Sequence, residues 1–355
     1  MTNNNDAKII DATPAFDNTT TVRNLCARVG ITDLMAREGV TEVAINRPFE
    51  AWTESSSGWK CHELPELSLD LCKKLANALA ILNKKKGFGP DLPMVPSRFP
   101  DGERGQLCIE PSVEPGTAAF TVRIPNEKRF AMSDYTSWGS FDEFRATAGY
   151  TEAPADVALD QAQLDLLAAL HLRDIPKFLG LAIHHCLNIV FVGGTGSGKT
   201  TLMKACADLV PAFTRICTIE DTHELSLPNH PNRVHMFYSD TLPAKDIVKA
   251  TLRMKFDRVY LAELRGDETW DYLTLLNTGH QGGMTSVHAN NSVAAYPRIA
   301  TLIKSSEVGQ KLDYDYVLRE VKQTVDVVLF MDKRKKLTEV YYNPVEKWKM
   351  QRGLA

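Results

Sequence analysis

Eight consecutive residues, Gly193, Gly194, Thr195, Gly196, Ser197, Gly198, Lys199 and Thr200, satisfy Gly-x4-Gly-Lys-Ser/Thr, and Thr201 follows them. Glycines at these places let the backbone turn its N–H groups inward around phosphate oxygens. A lysine then neutralises the β- and γ-phosphates, and the next hydroxyl holds magnesium. The pattern predicts ATP on residues 193–201 as a complex with Mg2+, with Lys199 in the chemistry and Thr200 on the metal. Such chemistry also needs acids for the metal and the attacking water. Two apolar runs end in them: residues 214–219 lead into Glu220 and Asp221, and residues 258–262 lead into Glu263. Glu263 is the preferred metal ligand and catalytic acid, with Glu220 and Asp221 organising metal and water around it. Residues 278–290 hold two histidines. His280 follows the helix expected after Glu263 and is placed at the γ-phosphate, and His288 ends a short Thr-Ser-Val strand.

These groups need elements to carry them. Residues 187–192 read as a buried strand running into the glycine loop, and residues 201–209 as the helix that aims its positive end at the same point. Helices over 161–172 and 175–185 precede it, and strand-helix alternation continues to about residue 331. That alternation implies a mostly parallel sheet covered on both faces. Residues 22–124 read as a smaller α+β domain, with strands near 41–46, 105–110 and 118–124 and one helix whose Leu71, Leu75, Leu79 and Leu82 form an apolar stripe for core packing. Residues 125–155 show no sustained period and read as a linker. The expected division is a loose tail (1–21), an N-terminal α+β domain (22–130), a linker (131–160) and an α/β ATPase domain (161–355).

The totals narrow the class. In 355 residues, 44% hydrophobic and 24% charged, a net charge of −3 offers no general attraction for phosphate backbones, so direct nucleic-acid binding is expected to be weak or absent. Seven scattered cysteines, with no Cys-x-x-Cys pair, read as reduced cytosolic thiols. No basic start with an apolar core marks a secretory signal, and no apolar run approaches a membrane span, so any membrane contact is expected to be peripheral.

The order GGTGSGKTT, TIEDTHEL, LAELRGDETWD and TGHQGGMTSVHAN resembles the Walker A, Asp box, Walker B and His box of the secretion ATPases, which are hexameric traffic ATPases. The resemblance runs from about residue 175 to 330. In the N-terminal half, PDGER and FTVRIP look like the two arginine-bearing segments of the type IV secretion and conjugation branch. By that likeness Arg104 and Arg123 touch the terminal phosphate, where a guanidinium fork contributes about 10³ to 10⁵ in rate. The missing four-cysteine zinc motif of type II relatives favours the same branch, whereas Ala262 stands where many relatives have glycine. The resemblance implies a RecA-like P-loop domain, Mg-dependent ATP hydrolysis for substrate translocation or pilus assembly, and a homo-oligomeric ring, hexameric in the family. It also implies a cytoplasmic place at the inner-membrane face, with the secretion system's membrane components and other ATPases as partners. A 124–193 segment longer than in the most compact relatives is long enough to let the N-terminal domain pack on a neighbouring subunit, and the sequence leaves open whether it does. Two other classes share the loop. A nucleic-acid motor such as a hexameric helicase needs a basic channel that the net charge does not support. A nucleotide switch without turnover has no need of Glu263 and its neighbouring acids.

Overall fold

The computed structural model describes residues 17–55, 57–124, 129–148, 154, 156–239 and 241–354. The chain divides into two compact units, Met1–Asn126 and Glu127–Ala355. The first sixteen residues of the expected tail lie outside the described residues, and the first helix already begins at Thr20.

The first unit runs α1 (Thr20–Arg28), α2 (Ile31–Met35), β1 (Glu42–Ile45), β2 (Glu50–Ser55), β3 (Gly58–Glu63), α3 (Leu69–Leu82), β4 (Met94–Arg98), β5 (Arg104–Ile109) and β6 (Ala118–Arg123). Its sheet has the order β3-β2-β1-β6-β5-β4, every pair antiparallel. α3 starts where the Ser68 hydroxyl accepts the Leu71 N–H, and its apolar stripe buries Leu71, Leu75 and Leu79 against Val95, Leu107 and Phe120 in one core. Each such leucine contributes about 1.5 to 3 kcal/mol by leaving water. Alternation along β4, β5 and β6 puts the other side chains on the outer face. There the pairing register sets Arg98 opposite Arg104, Arg104 opposite Arg123, and Arg123 opposite Glu42. The two arginines expected to act together thus stand side by side, with a third beside them.

The second unit runs α4 (Met132–Ser137), β7 (Arg145–Ala146), α5 (Gln161–His171), α6 (Ile175–His184), β8 (Ile189–Val192), α7 (Lys199–Ala207), β9 (Ile216–Glu220), β10 (Arg233–Phe237), α8 (Ala244–Thr251), β11 (Arg258–Leu261), α9 (Glu268–Asn277), β12 (Met284–Val287), α10 (Ala295–Ser305), α11 (Glu307–Gln310), α12 (Tyr314–Thr324), β13 (Val327–Met331), β14 (Leu337–Tyr342) and α13 (Pro344–Gln351). The sheet order is β10-β9-β11-β12-β8-β13-β14-β7, and the six strands from β10 to β13 are all parallel. Period-two alternation divides each strand between two cores. Ile189, Phe191, Tyr260 and Leu329 meet α5, α6 and α7 on one face, while Val190, Val192, Val259 and Val328 meet α8, α9, α10 and α12 on the other. A sheet covered on both faces forces near-continuous apolar strands, which is why β8 reads Ile-Val-Phe-Val with every residue buried.

Residues 129–148, inside the stretch that reads as linker, add α4 and the edge strand β7 to this unit. Tyr135, Phe141 and Phe144 sink into its core, which explains aromatic residues in an otherwise polar segment. β7 is fastened to β14 by Glu339, whose carboxylate accepts the Ser292 N–H and hydroxyl at 2.8 Å each and pairs with Arg145 at 2.6 Å. Burial alone would raise the Glu339 pKa, but the Ser292 bonds and Arg145 outweigh it and hold the carboxyl below its usual value. A lowered folded-state value means stability that is present above the ordinary carboxylate range and lost as pH falls through it. Glu339→Gln is expected to destabilise this unit by roughly 1 to 3 kcal/mol at neutral pH. Urea melts should also show the variant losing less stability than wild type between pH 6 and pH 4, as about one fewer carboxylate titrates.

Candidate active site

Five parallel strands end at one edge of the sheet, so the segments that follow β8, β9, β11, β12 and β13 gather there. That edge is where open α/β sheets place ligands. β8 turns directly into residues 193–198, and α7 opens at Lys199 with Gly198 as its left-handed cap (φ 92°). Gly193 (φ 148°) tolerates no side chain: a Cβ there would lie 2.3 Å from the Met331 carbonyl oxygen and 2.6 Å from the Ser197 hydroxyl. The Lys199 ammonium donates to the carbonyls of Gly193 and Gly194, both at 2.8 Å. Ser197 Oγ is buried with no hydrogen-bond partner. A glycine-lined turn, an ammonium, an unsatisfied hydroxyl and a helix amino end make a fitting receptor for phosphate oxygens.

The acids join this loop through one histidine. His288, just beyond β12, places Nδ1 3.0 Å from the Gly193 carbonyl oxygen and Nε2 3.0 Å from Glu263 Oε1. Glu263 follows β11 by two residues. Its backbone is set by Leu264 N–H donating to Ser286 O and the Ser286 hydroxyl donating to Ala262 O, both at 2.8 Å. Ala262 itself packs against the core on the α7 side, so a methyl is accommodated at that position. The other oxygen, Glu263 Oε2, accepts Arg265 Nε at 2.9 Å and Nη2 at 2.7 Å, and Arg265 Nη1 reaches Asp221 at 2.7 Å. Partial burial would lower the Arg265 pKa, but Asp221 and then Glu263 raise it further. A continuous chain therefore runs Gly193, His288, Glu263, Arg265, Asp221.

Two expected members stand apart. Glu220 turns away from Asp221, its fully buried carboxylate accepting Glu224 N–H at 2.8 Å, Leu225 N–H at 2.7 Å and the Thr218 hydroxyl at 3.0 Å. His280 lies before β12, at the opposite edge of the sheet from the phosphate loop, because Met284 pairs with Ile189 at the start of β8 while Val287 pairs with Val192 at its end. A four-residue strand spans about 13 Å, so the two histidines flank its two ends. His280 takes no part in the chain of contacts, and its Nδ1 is buried without a hydrogen-bond partner. The structure adds the β13–β14 turn, where the Lys335 stem lies 3.8 Å from the point a Cβ on Gly198 would occupy. The run Asp-Lys-Arg-Lys-Lys at 332–336 was its visible sign. Arg104 and Arg123 belong to the first unit.

Comparison with known proteins decides the family. Residues 158–337 match the family model described as type II/IV secretion system protein. The chain is 34% identical over 319 residues to the type IV secretion system protein VirB11 of Brucella abortus, covering 86% of each chain. The chain is a type IV secretion ATPase of the type II/IV secretion system protein family. PtlH of Bordetella pertussis, a type IV secretion system protein, is 32% identical over 307 residues, with 84% of this chain and 87% of the relative covered. Among solved structures, the VirB11 ATPase from the Brucella suis type IV secretion system, in complex with sulphate, aligns at 33% identity and a TM-score of 0.52 over 92% of this chain and 99% of that one. The pilus retraction motor PilT with bound ADP aligns at 15% identity and a TM-score of 0.59, covering 92% of this chain and 86% of that one, which supports the shared fold. Membership of the family and its branch agrees with the motif order, and with it the ATPase activity. Among the described residues, no helix is long and apolar enough to cross a membrane.

The glycine requirement gives a sharp expectation. Gly193→Ala should retain the folded unit by circular dichroism yet weaken binding of a fluorescent ATP analogue at least about 10-fold, because the loop must move off the Met331 carbonyl.

Proposed function

We propose that this ATPase takes ATP with Mg2+ on residues 193–201 and hydrolyses it with Glu263 as the group that polarises water, as the motor of a type IV secretion or conjugation system. The observation that carries this reading is the unbroken chain from the phosphate loop through His288 to Glu263, Arg265 and Asp221. The N–H groups of the loop and the amino end of α7 face the phosphates, and Lys199 supplies fixed positive charge there. The Thr200 hydroxyl and the Glu263 carboxylate are hard oxygen donors of the kind magnesium selects. Held by these two residues, Mg2+ would supply positive charge against the phosphate oxygens.

Glu263 has both oxygens engaged, Oε1 by His288 and Oε2 by Arg265, so it is held in one rotamer and accepts a water proton without first being positioned. Asp221 restrains Arg265. Glu220 serves by fixing the turn that presents Asp221, through its two backbone N–H bonds, rather than by touching substrate. Arg104 and Arg123, with Arg98 in the same row, provide the guanidinium groups that stabilise γ-phosphate charge. Loss of the γ-phosphate then removes the charge that those guanidinium groups stabilise. We further propose a homo-oligomeric ring, hexameric as in the family, at the cytoplasmic face of the inner membrane. Its partners there are the membrane components and other ATPases of the system, and any direct nucleic-acid binding is weak.

Turnover by wild type and Glu263→Gln, with assembly followed by light scattering, tests this. The variant is expected to bind ATP and lose about 10² to 10⁴ in kcat. Arg104→Ala and Arg123→Ala are expected to lower kcat by about 10³ or more with small changes in ATP binding. Chelating Mg2+ should abolish turnover. Wild type that binds ATP without turning over would make the chain a switch, and strong stimulation by DNA would make it a nucleic-acid motor.

A further inference from the structure

The end of β9 sends neighbouring acids to different partners. Asp221 reaches Arg265, while Glu220 turns toward the edge strand β10 and meets two imidazoles. His223 Nδ1 lies 3.4 Å from Glu220 Oε1, and the rings of His223 and His235 stand edge to face with centroids 4.3 Å apart. Glu220, His223 and His235 each offer one ligand atom, and these atoms all lie within 4.8 Å of one another. We propose that Glu220, His223 and His235 form a binding site for a divalent transition-metal ion of the zinc class, distinct in its residues from the magnesium site at the nucleotide.

Two imidazoles and one carboxylate are a donor set that zinc accepts and magnesium does not. The ligand atoms need to close by at most about 1.4 Å to reach the roughly 3.4 Å spacing of a tetrahedral ion with bonds of about 2.0 to 2.2 Å. The supporting shell is already built. Glu220 Oε2 is fixed by the N–H groups of Glu224 and Leu225, which leaves Oε1 on the histidine side. The Thr218 hydroxyl lies 3.0 Å from Glu220 Oε1 and 2.7 Å from His235 Nδ1. If it donates to the carboxylate it must accept from His235 Nδ1–H, which leaves the Nε2 lone pair for a ligand, as outer partners of metal-bound histidines do. The His223 side chain is 46% exposed, which provides an entry path and leaves a fourth position to water. An ion here would fasten the turn after β9 onto β10, two residues from Asp221. Its effect on the ATPase would pass through the Asp221–Arg265 pair.

Zinc chloride titrated calorimetrically into untagged, chelator-stripped full-length protein without nucleotide tests the site. One equivalent is expected to bind. His223→Gln, at an exposed position, and His235→Gln are each expected to weaken it at least about 10-fold. Glu263→Gln and the paired Cys61→Ser, Cys186→Ser variant are expected to keep it. Cobalt bound in place of zinc should show ligand-field bands without sulfur charge transfer. The proposal is overturned by the absence of a stoichiometric site in wild type, by His223→Gln binding as wild type does, or by loss of binding in the cysteine variant. If His235→Gln does not fold, His223→Gln decides alone.

Discussion

A single imidazole connects the phosphate-binding half of this site to its acidic half. His288 sits between the carbonyl of Gly193 and the carboxylate of Glu263, so the first glycine of the loop and the acid at the end of β11 are held at a fixed separation. Neither neighbour can shift alone. The loop cannot move toward β13 without meeting the Met331 carbonyl, and Glu263 is pinned from its other oxygen by Arg265. On the proposed function, a change at the γ-phosphate would reach Asp221 through groups already in contact.

The sheet is what makes this connection possible. Five parallel strands release their following segments at one edge, and their two-faced burial confines charged side chains to the strand ends. That rule also decides which histidine belongs. His280 and His288 lie eight residues apart in one loop-strand-loop segment, yet β12 separates them, and only the one after the strand reaches the phosphate loop.

Much of this was legible in the sequence, where a period or a motif fixes geometry. The phosphate loop, β8, β9, β11 and α3 announce themselves through glycine spacing, continuous apolar runs and a helical leucine stripe. Glu263 was legible because it ends such a run. Residues 129–148 were not, since their burial rests on three aromatics without periodicity, and edge strand β7 is only two residues long. The separate course of Glu220 and Asp221 was also hidden. Adjacent residues at a strand end point to opposite sides, and which side faces Arg265 depends on the turn that follows. Arg265 stands inside the LAELRGDETWD run, where it is visible as a charge beside Glu263, but its bridge to Asp221 across 44 residues is a property of the fold. The pairing of Arg98 with Arg104 and Arg123 is a property of strand register, which no local pattern prints.

The most direct measure of the account is a double-mutant cycle on kcat for ATP hydrolysis between His288→Gln and Arg265→Gln, which remove the two groups holding opposite oxygens of Glu263. If both act by positioning that carboxylate, the double variant should lose far less than the product of the single losses, a coupling of about 1 kcal/mol or more. Additive losses, within about 0.5 kcal/mol, would mean that the two residues act independently and that Glu263 is not the point where the chain of contacts converges.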